Sequence, residues 1–368
     1  MKRLISILKT NAVTLIALTL AAVTMIIVPP DGEYLGYFDF KTLTCLFTVL
    51  AVVCALRNVR FFYTLAEKII KKFKNARRAV TALVYITFIG SMIMANDMAL
   101  ITFLPLGYFV LITCEKEKYM CVTFILQNIA ANLGGMLTPF GNPQNLYLYS
   151  KFNIPDGEFL LIMLPCFLLA IALITACCMI FIKPEPLTFN GIERRLPKVR
   201  IVIYLLLFLL AILCVFRFIP YQISLIVIPV VIFIMDRKAL LNVDYGLLLT
   251  FVFFFIFSGN MARIDAVRGV FSFLLEKSTL IVSALSCQVI SNVPTAILLS
   301  QFTENYRELL LGVNIGGCGT LISSLASLIT FREYVSHNKG GAGKYILVFS
   351  AFNFSFLLIM ILFSFIFI

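Results

Sequence analysis

One carboxylate, Asp97, follows Asn96 inside FIGSMIMANDMALITFLPLG (residues 88–107), an apolar run with no other charge. A second apolar run holds Ser291 and Asn292 in SNVP (291–294). Two more carry TPFGNPQN (138–145) and GTLISSLAS (319–327). These stretches offer amides and hydroxyls that both donate and accept, backbone groups freed by proline, and a single acid. That is chemistry for holding a small ion; no nucleophile–base pair or metal cluster accompanies it. An ionisable residue within a membrane segment is a functional-site candidate by default. Asp97 therefore reads either as a carrier of a coupling H⁺ or Na⁺ or as a cap for the helix that starts beside it. The other 17 acids lie in loops or near the ends of apolar runs, with Asp244 at a helix start.

The elements that must position these groups are membrane spans. Hydrophobic residues make up 61% of the chain and charged ones 13%, against about 25% in soluble domains. Mean hydropathy is +1.02. Apolar runs near 20 residues recur from end to end, which excludes a soluble fold with one large core. The first run, 11–28, exceeds a signal-peptide core and lacks a cleavage site, so it reads as a transmembrane helix. The net charge of +12 is explained by cytoplasmic sorting of basic residues rather than by nucleic-acid binding. None of the ten cysteines falls at metal-knuckle spacing, and the one histidine, His337, sits in a polar stretch read as a loop. A His-rich metal site and an enzyme are excluded on these grounds.

Nine full crossings are expected, at 11–29, 39–56, 120–148, 158–182, 199–217, 220–235, 244–260, 305–330 and 344–368. The basic segment 57–78 reads as an amphipathic helix on the cytoplasmic surface. With the N-terminus cytoplasmic, the cytoplasmic segments hold 23 of the 30 Lys and Arg, which puts the C-terminus outside. This holds if 80–113 and 278–301 each return to the side they enter. The arms of 278–301 are too short to span, which argues for a helical hairpin with its tip at Ser291–Pro294. In 80–113 the arms are longer, and two full spans are the alternative to a hairpin turning at Asn96-Asp97.

ANLGGMLTPFGNPQNL (131–146) matches VNIGGCGTLISSLASL (313–328) at a constant offset, with Asn132 on Asn314, Gly134-Gly135 on Gly316-Gly317 and Thr138 on Thr320. Each copy follows an Asn-bearing hairpin. The chain therefore reads as two inverted repeats. The first is 1–182, with hairpin 80–113 and broken helix 120–148. The second is 220–368, with hairpin 278–301 and broken helix 305–330. A linker and connecting helix, 183–219, joins them. An odd number of crossings between the unit starts inverts the second unit, the architecture behind alternating access.

With these pieces in order over nearly its whole length, the chain resembles the ion transporter superfamily of divalent-anion/sodium symporters, arsenite permeases and sodium/proton antiporters. The resemblance implies a secondary transporter in the inner membrane of the cell. Hairpin tips in the dicarboxylate branch carry Ser-Asn-Thr; here they read Ala95-Asn96-Asp97 and Ser291-Asn292-Val293. Ala-Asn-Asp is similar to the arsenite-permease pattern. Thr138, Gly141, Asn142, Pro143 and Asn145 match the family's first loop, and Thr320, Ser323 and Ser324 stand in the second. The implied partners are a small inorganic or carboxylate anion, Na⁺ or H⁺, the lipid bilayer and a second copy in a homodimer. No nucleic acid and no cofactor are implied beyond Na⁺, for which Asn96, Asp97 and Asn292 are the candidate ligands. Arsenite, sulfate, small carboxylates and Na⁺ itself are all open as substrates, as is the direction of transport. A sodium/proton antiporter without anion transport is the alternative, and a channel fits the midplane clustering of polar residues less well.

Overall fold

The computed structural model describes residues 12–187, 189 and 196–367, and within them the protein is all helical. No sheet forms among these residues; Asn75 and Pro186 make an isolated antiparallel bridge. The first half comprises α1 (Ala12–Ile27), α2 (Phe40–Asn58), α3 (Phe61–Ile70), α4 (Ala76–Ile93), α5 (Asn96–Thr113), α6 (Met120–Gly134), α7 (Pro143–Lys151) and α8 (Asp156–Phe181). Then come α9 (Lys198–Val215), α10 (Tyr221–Met235), α11 (Arg237–Leu241), α12 (Tyr245–Ala262), α13 (Asp265–Lys277), α14 (Thr279–Ile290), α15 (Asn292–Leu299), α16 (Tyr306–Ile315), α17 (Leu325–His337) and α18 (Ala342–Ser364).

Eight helical stretches among the described residues are long and apolar enough to cross a membrane. This differs from the nine expected, for reasons of length. The expected crossings 11–29 and 220–235 form helices of 16 and 15 residues. The expected crossing 305–330 is split into α16 and α17. The two arms expected over 80–113, by contrast, are α4 and α5, 18 residues each, about 27 Å at 1.5 Å per residue, and both enter the count of helices long enough to cross.

Local chemistry sets the boundaries. Asn75, Asp244, Ser278, Asn305 and Ser324 each cap the helix that follows by accepting from a backbone N–H of its first turn. Asn75 starts α4 early, so the surface helix expected over 57–78 shrinks to the ten residues of α3. His337 is the last residue of α17 rather than part of a loop, and its ring stacks on Tyr108 at 3.5 Å.

Packing between the halves is reciprocal. The first helix of each half lies against the second spanning helix of the other: α1 on α12 and α10 on α2. Thr14 Oγ1 meets Thr250 Oγ1 at 2.9 Å, and Asn260 Nδ2 donates to Thr24 Oγ1 at 3.3 Å, fixing the register of α1 on α12. The rest of each half is built alike, with α4 on α6 and α14 on α16. Across the halves, α15 packs on α7 and α17 on α5.

Candidate functional site

Prolines and asparagines interrupt the rods where the halves meet. After α6, a short 3₁₀ turn (Gly135–Leu137) leads through Thr138–Asn142 to α7, which starts with Pro143 in its first turn, where the missing N–H costs nothing. The matching break runs from Gly316 to Ser324, ahead of α17. The polypeptide also turns at Met94-Ala95, between α4 and α5, and at Ser291, between α14 and α15.

Side-chain amides on two hub residues, Asn132 and Asn314, tie the first turn point and both breaks together. Asn132 Oδ1 accepts from Asn96 Nδ2 (3.0 Å) and from Ser324 Oγ (2.9 Å), so it joins the first turn point to the second break. Asn314 Oδ1 accepts from Asn142 Nδ2 (3.2 Å), and Asn314 Nδ2 donates to Asn145 Oδ1 (2.6 Å), so it joins the second rod to the first break. The threonines repeat the pattern. Thr138 Oγ1 donates to the Met92 carbonyl (2.7 Å), and Thr320 Oγ1 to the Gln288 carbonyl (2.9 Å). Met92 and Gln288 each precede the turn-point asparagine by four residues. At the turn points themselves, Asn96 Oδ1 accepts from Asp97 N and Asn292 Oδ1 from Val293 N, both at 2.9 Å.

Between the interruptions lies a cleft with about 20 Å³ of free volume, room for roughly one water-sized species. The first turns of four helices meet there: Asn96 and Asp97 of α5, Pro143 and Gln144 of α7, Asn292 and Val293 of α15, and Leu325 of α17 beside its cap Ser324. Each end brings a partial positive charge to the cleft, although local acceptors already take several first-turn N–H groups: Asn96 Oδ1 that of Asp97, Asn292 Oδ1 that of Val293 and the Ser323 carbonyl that of Asn292. Thr250 of α12 and Val13 of α1 close the opposite wall.

The twelve residues singled out from the sequence divide evenly. Asn96, Asp97, Pro143, Ser291, Asn292 and Ser324 line the cleft. Thr138, Gly141, Asn142, Asn145, Thr320 and Ser323 stand behind it and hold the breaks. Asn145 Nδ2, for example, donates to the carbonyls of Gly135 (3.2 Å) and Met136 (3.1 Å), and Ser323 Oγ to that of Gly317 (2.9 Å). Gly141 is required by closeness, since a Cβ there would lie 2.4 Å from the Gly135 carbonyl oxygen. Sequence reading did not place Asn132, Asn314, Gln144, Gln288 or Thr250 in the site. The repeat did align Asn132 with Asn314, and that alignment was the signal for the hubs.

Asp97 makes no capping hydrogen bond at the start of α5. Its Oδ1 is buried without a hydrogen-bond partner among the described residues, and so are Asn142 Oδ1 and Gln144 Oε1. Buried acceptors left unpaired are costly. All three are oxygens, the donor type that hard cations take. Among the described residues, no three His, Cys, Asp or Glu side chains come together as a metal site.

A family model described as "Citrate transporter" (CitMHS) matches residues 4–305. The chain is 34% identical over 318 residues to an uncharacterized transporter of Methanocaldococcus jannaschii, covering 86% of each protein. It is 29% identical over 300 residues to the inner membrane protein YbiR of Escherichia coli, covering 80% of each. An uncharacterized transporter of Haemophilus influenzae is 29% identical over 190 residues, 49% of this chain and 41% of that protein. A family match over most of the chain, on a polytopic helical fold whose polar groups gather at interrupted helices, makes this a membrane transporter rather than an enzyme, and the chain belongs to the citrate transporter family.

Proposed function

We propose that the protein is a secondary transporter of a small carboxylate or comparable oxyanion, driven by Na⁺ or H⁺ through Asp97. The observation that carries this reading is the convergence of four helix N-termini on one cleft. Such ends attract anions through their dipoles, and no Lys or Arg lines the cleft. The family description agrees with an anion as cargo.

Asp97 sits at one of the four ends, so its charge competes with a substrate for the same positive field. Neutralising it, with a proton or with Na⁺ held by the unpaired oxygens of Asp97 and Gln144 in the cleft, frees that field for the anion. Coupling is then a local electrostatic exchange. A cleft with room for one water-sized species cannot hold a carboxylate substrate, so loading requires the helices carrying the N-termini to move from α1 and α12.

The α4–α5 and α14–α15 pairs act as re-entrant hairpins in this proposal. Support comes from depth: Asn96 is bonded to Asn132 within the α6–α7 rod, not near its end at Lys151. The chain then forms two inverted units, 1–182 and 220–368, joined by 183–219. The charge bias puts the N-terminus in the cytoplasm and the C-terminus outside.

Proteoliposome uptake of citrate, succinate, sulfate and arsenite under imposed Na⁺ or pH gradients tests the reading. The wild type is expected to concentrate at least one of these anions. Asp97→Asn is expected to retain anion exchange at equal gradients while losing most gradient-driven accumulation. Full coupled uptake by Asp97→Asn removes Asp97 from the mechanism. Na⁺/H⁺ exchange without anion flux would replace the proposal with an antiporter, a reading that the unpaired Asp97 oxygen alone also suits.

A further inference from the structure

Seven Lys and Arg remain on the face that the charge bias reads as external, the face where basic residues are depleted. Most are accounted for locally. Arg263 pairs with Asp31 (2.6 Å) and Glu33 (3.5 Å), and Arg307 with Glu158 (2.6 Å). Arg217 donates Nη2 to the Tyr149 carbonyl (2.8 Å) and lies over the Tyr149 ring. Arg268 and Lys277 are exposed on the surface helix α13. The remaining two, Lys41 at the start of α2 and Lys151 at the end of α7, are far apart in sequence yet line one cleft of about 440 Å³.

No carboxylate stands within ion-pair distance of either ammonium among the described residues. Lys151 Nζ reaches only Gln301 Oε1, at 3.5 Å. Asp39 is the one acidic residue lining this cleft, and its oxygens accept from Thr42 N (2.9 Å) and Thr42 Oγ1 (2.5 Å). Asp39 offsets one of the two charges at longer range, so the lining keeps an excess of one positive charge on the disfavoured face, and this excess in a concave space marks a place where a soluble anion supplies the missing charge.

The floor of this cleft separates it from the central site by one aromatic layer. Tyr147 is 2% exposed; its ring stands 5.6 Å from that of Phe255 and 6.5 Å from that of Phe251, and its hydroxyl meets Ser300 Oγ at 2.9 Å. One turn earlier on the same helix, Pro143 and Gln144 line the central cleft.

We infer that Lys41 and Lys151 form an outer capture site for a soluble di- or tricarboxylate or comparable oxyanion, stacked above the central site and closed off from it by Tyr147. The inference rests on the anion-transport reading and extends it to the route by which substrate arrives. Two ammonium groups match a polyanion better than a monoanion. The space of about 440 Å³ admits a whole hydrated substrate, which the central cleft in this closed arrangement does not. Capture here raises the local anion concentration without changing the transport step, so its loss should appear in KM and not in the maximal rate.

The test compares wild type, Lys41→Gln/Lys151→Gln and Lys41→Arg/Lys151→Arg in right-side-out vesicles. The Gln pair is expected to raise the external KM for the transported anion about 10-fold and to flatten its dependence on ionic strength, with maximal rate within about twofold. The Arg pair should restore both. An unchanged KM and salt dependence in the Gln pair, beside normal wild-type flux, overturns the capture site and leaves the transport reading standing. Absence of any wild-type anion flux would defeat the transport reading instead. A second arm then judges the cleft by itself: acylation of lysines in the full chain in phosphatidylcholine nanodiscs, read by mass spectrometry. Citrate should protect Lys41 and Lys151 and leave Lys277 reactive; equal labelling of all three overturns the proposal. Protection by phosphatidylglycerol nanodiscs without citrate also overturns it, by assigning the two lysines to lipid headgroups.

Discussion

At the residue scale, the two turn points share an asparagine and differ in everything else. Asn96 and Asn292 each accept from the next backbone N–H, and Asn96 alone reaches the Asn132 hub by its side chain. The first turn adds the acid, Asp97. The second adds strain: Ser291 has φ 73° and ψ 159°, a region open almost only to glycine. Holding a serine there costs about 1–3 kcal/mol. Its hydroxyl offers a return, lying 3.4 Å from both Asn292 Oδ1 and the Ser323 carbonyl. Ser291→Gly is expected to raise the unfolding midpoint in detergent while weakening anion stabilisation in a thermal-shift titration. A lowered midpoint would show that the hydroxyl contacts outweigh the strain.

At the element scale, glycine sets how closely each broken helix approaches the helix that leads into the turn point, α4 or α14. A Cβ on Gly134 would fall 2.3 Å from the Phe88 carbonyl oxygen in α4; one on Gly316 would fall 2.9 Å from Ala284 Cα in α14. Phe88 and Ala284 each precede the turn-point asparagine by eight residues, so both close approaches occur at equivalent places. The obstructing atoms are backbone and cannot swing aside. Gly134→Ala should therefore destabilise the protein by about 2 kcal/mol, within the range for overpacked cores. Gly157→Ala, where a Cβ meets nothing within 4 Å, is the matched control and should be near neutral. Equal stability of the two variants in thermal unfolding would refute the close-packing argument.

At the scale of the whole molecule, α1 pairs with α12 and α10 with α2, while α12 also packs on α15 and α2 on α7, so these helix pairs lie against the elements that carry the turn points and breaks. The start of α4 and the segment after α5 are tied to the segment after α8. Glu185 accepts from Lys118 Nζ (2.6 Å), Tyr119 Oη (2.8 Å) and Lys116 Nζ (3.1 Å), and its carbonyl accepts from Ala76 N (2.8 Å). Lys118, then Tyr119 and Lys116, hold the Glu185 carboxyl down to about 2, well below the usual carboxylate range. A depressed folded-state value means that the unfolded chain takes up the proton first. The stabilisation is therefore present at neutral pH and is lost as pH falls from about 4.5 towards 2. Glu185→Gln should flatten that acid limb in a stability–pH profile; an unchanged profile would show that the cluster is neutral for stability.

The sequence by itself determined the class of molecule, because hydrophobic length and the distribution of Lys and Arg follow from the bilayer and not from tertiary contacts. It also located the turn points and breaks at Asn96, Asn292, Pro143 and Thr320, because prolines and polar residues stand out against lipid-compatible sequence. Tertiary structure alone decided which of these face one another. The even split of the twelve candidates between cleft and support depends on rotation about each rod, which spacing does not encode. The hubs at Asn132 and Asn314 depend on contacts across more than 170 residues. Lys41 and Lys151 share a cleft only because the start of α2 lies beside the end of α7; in the sequence they are two ordinary lysines near the ends of apolar runs.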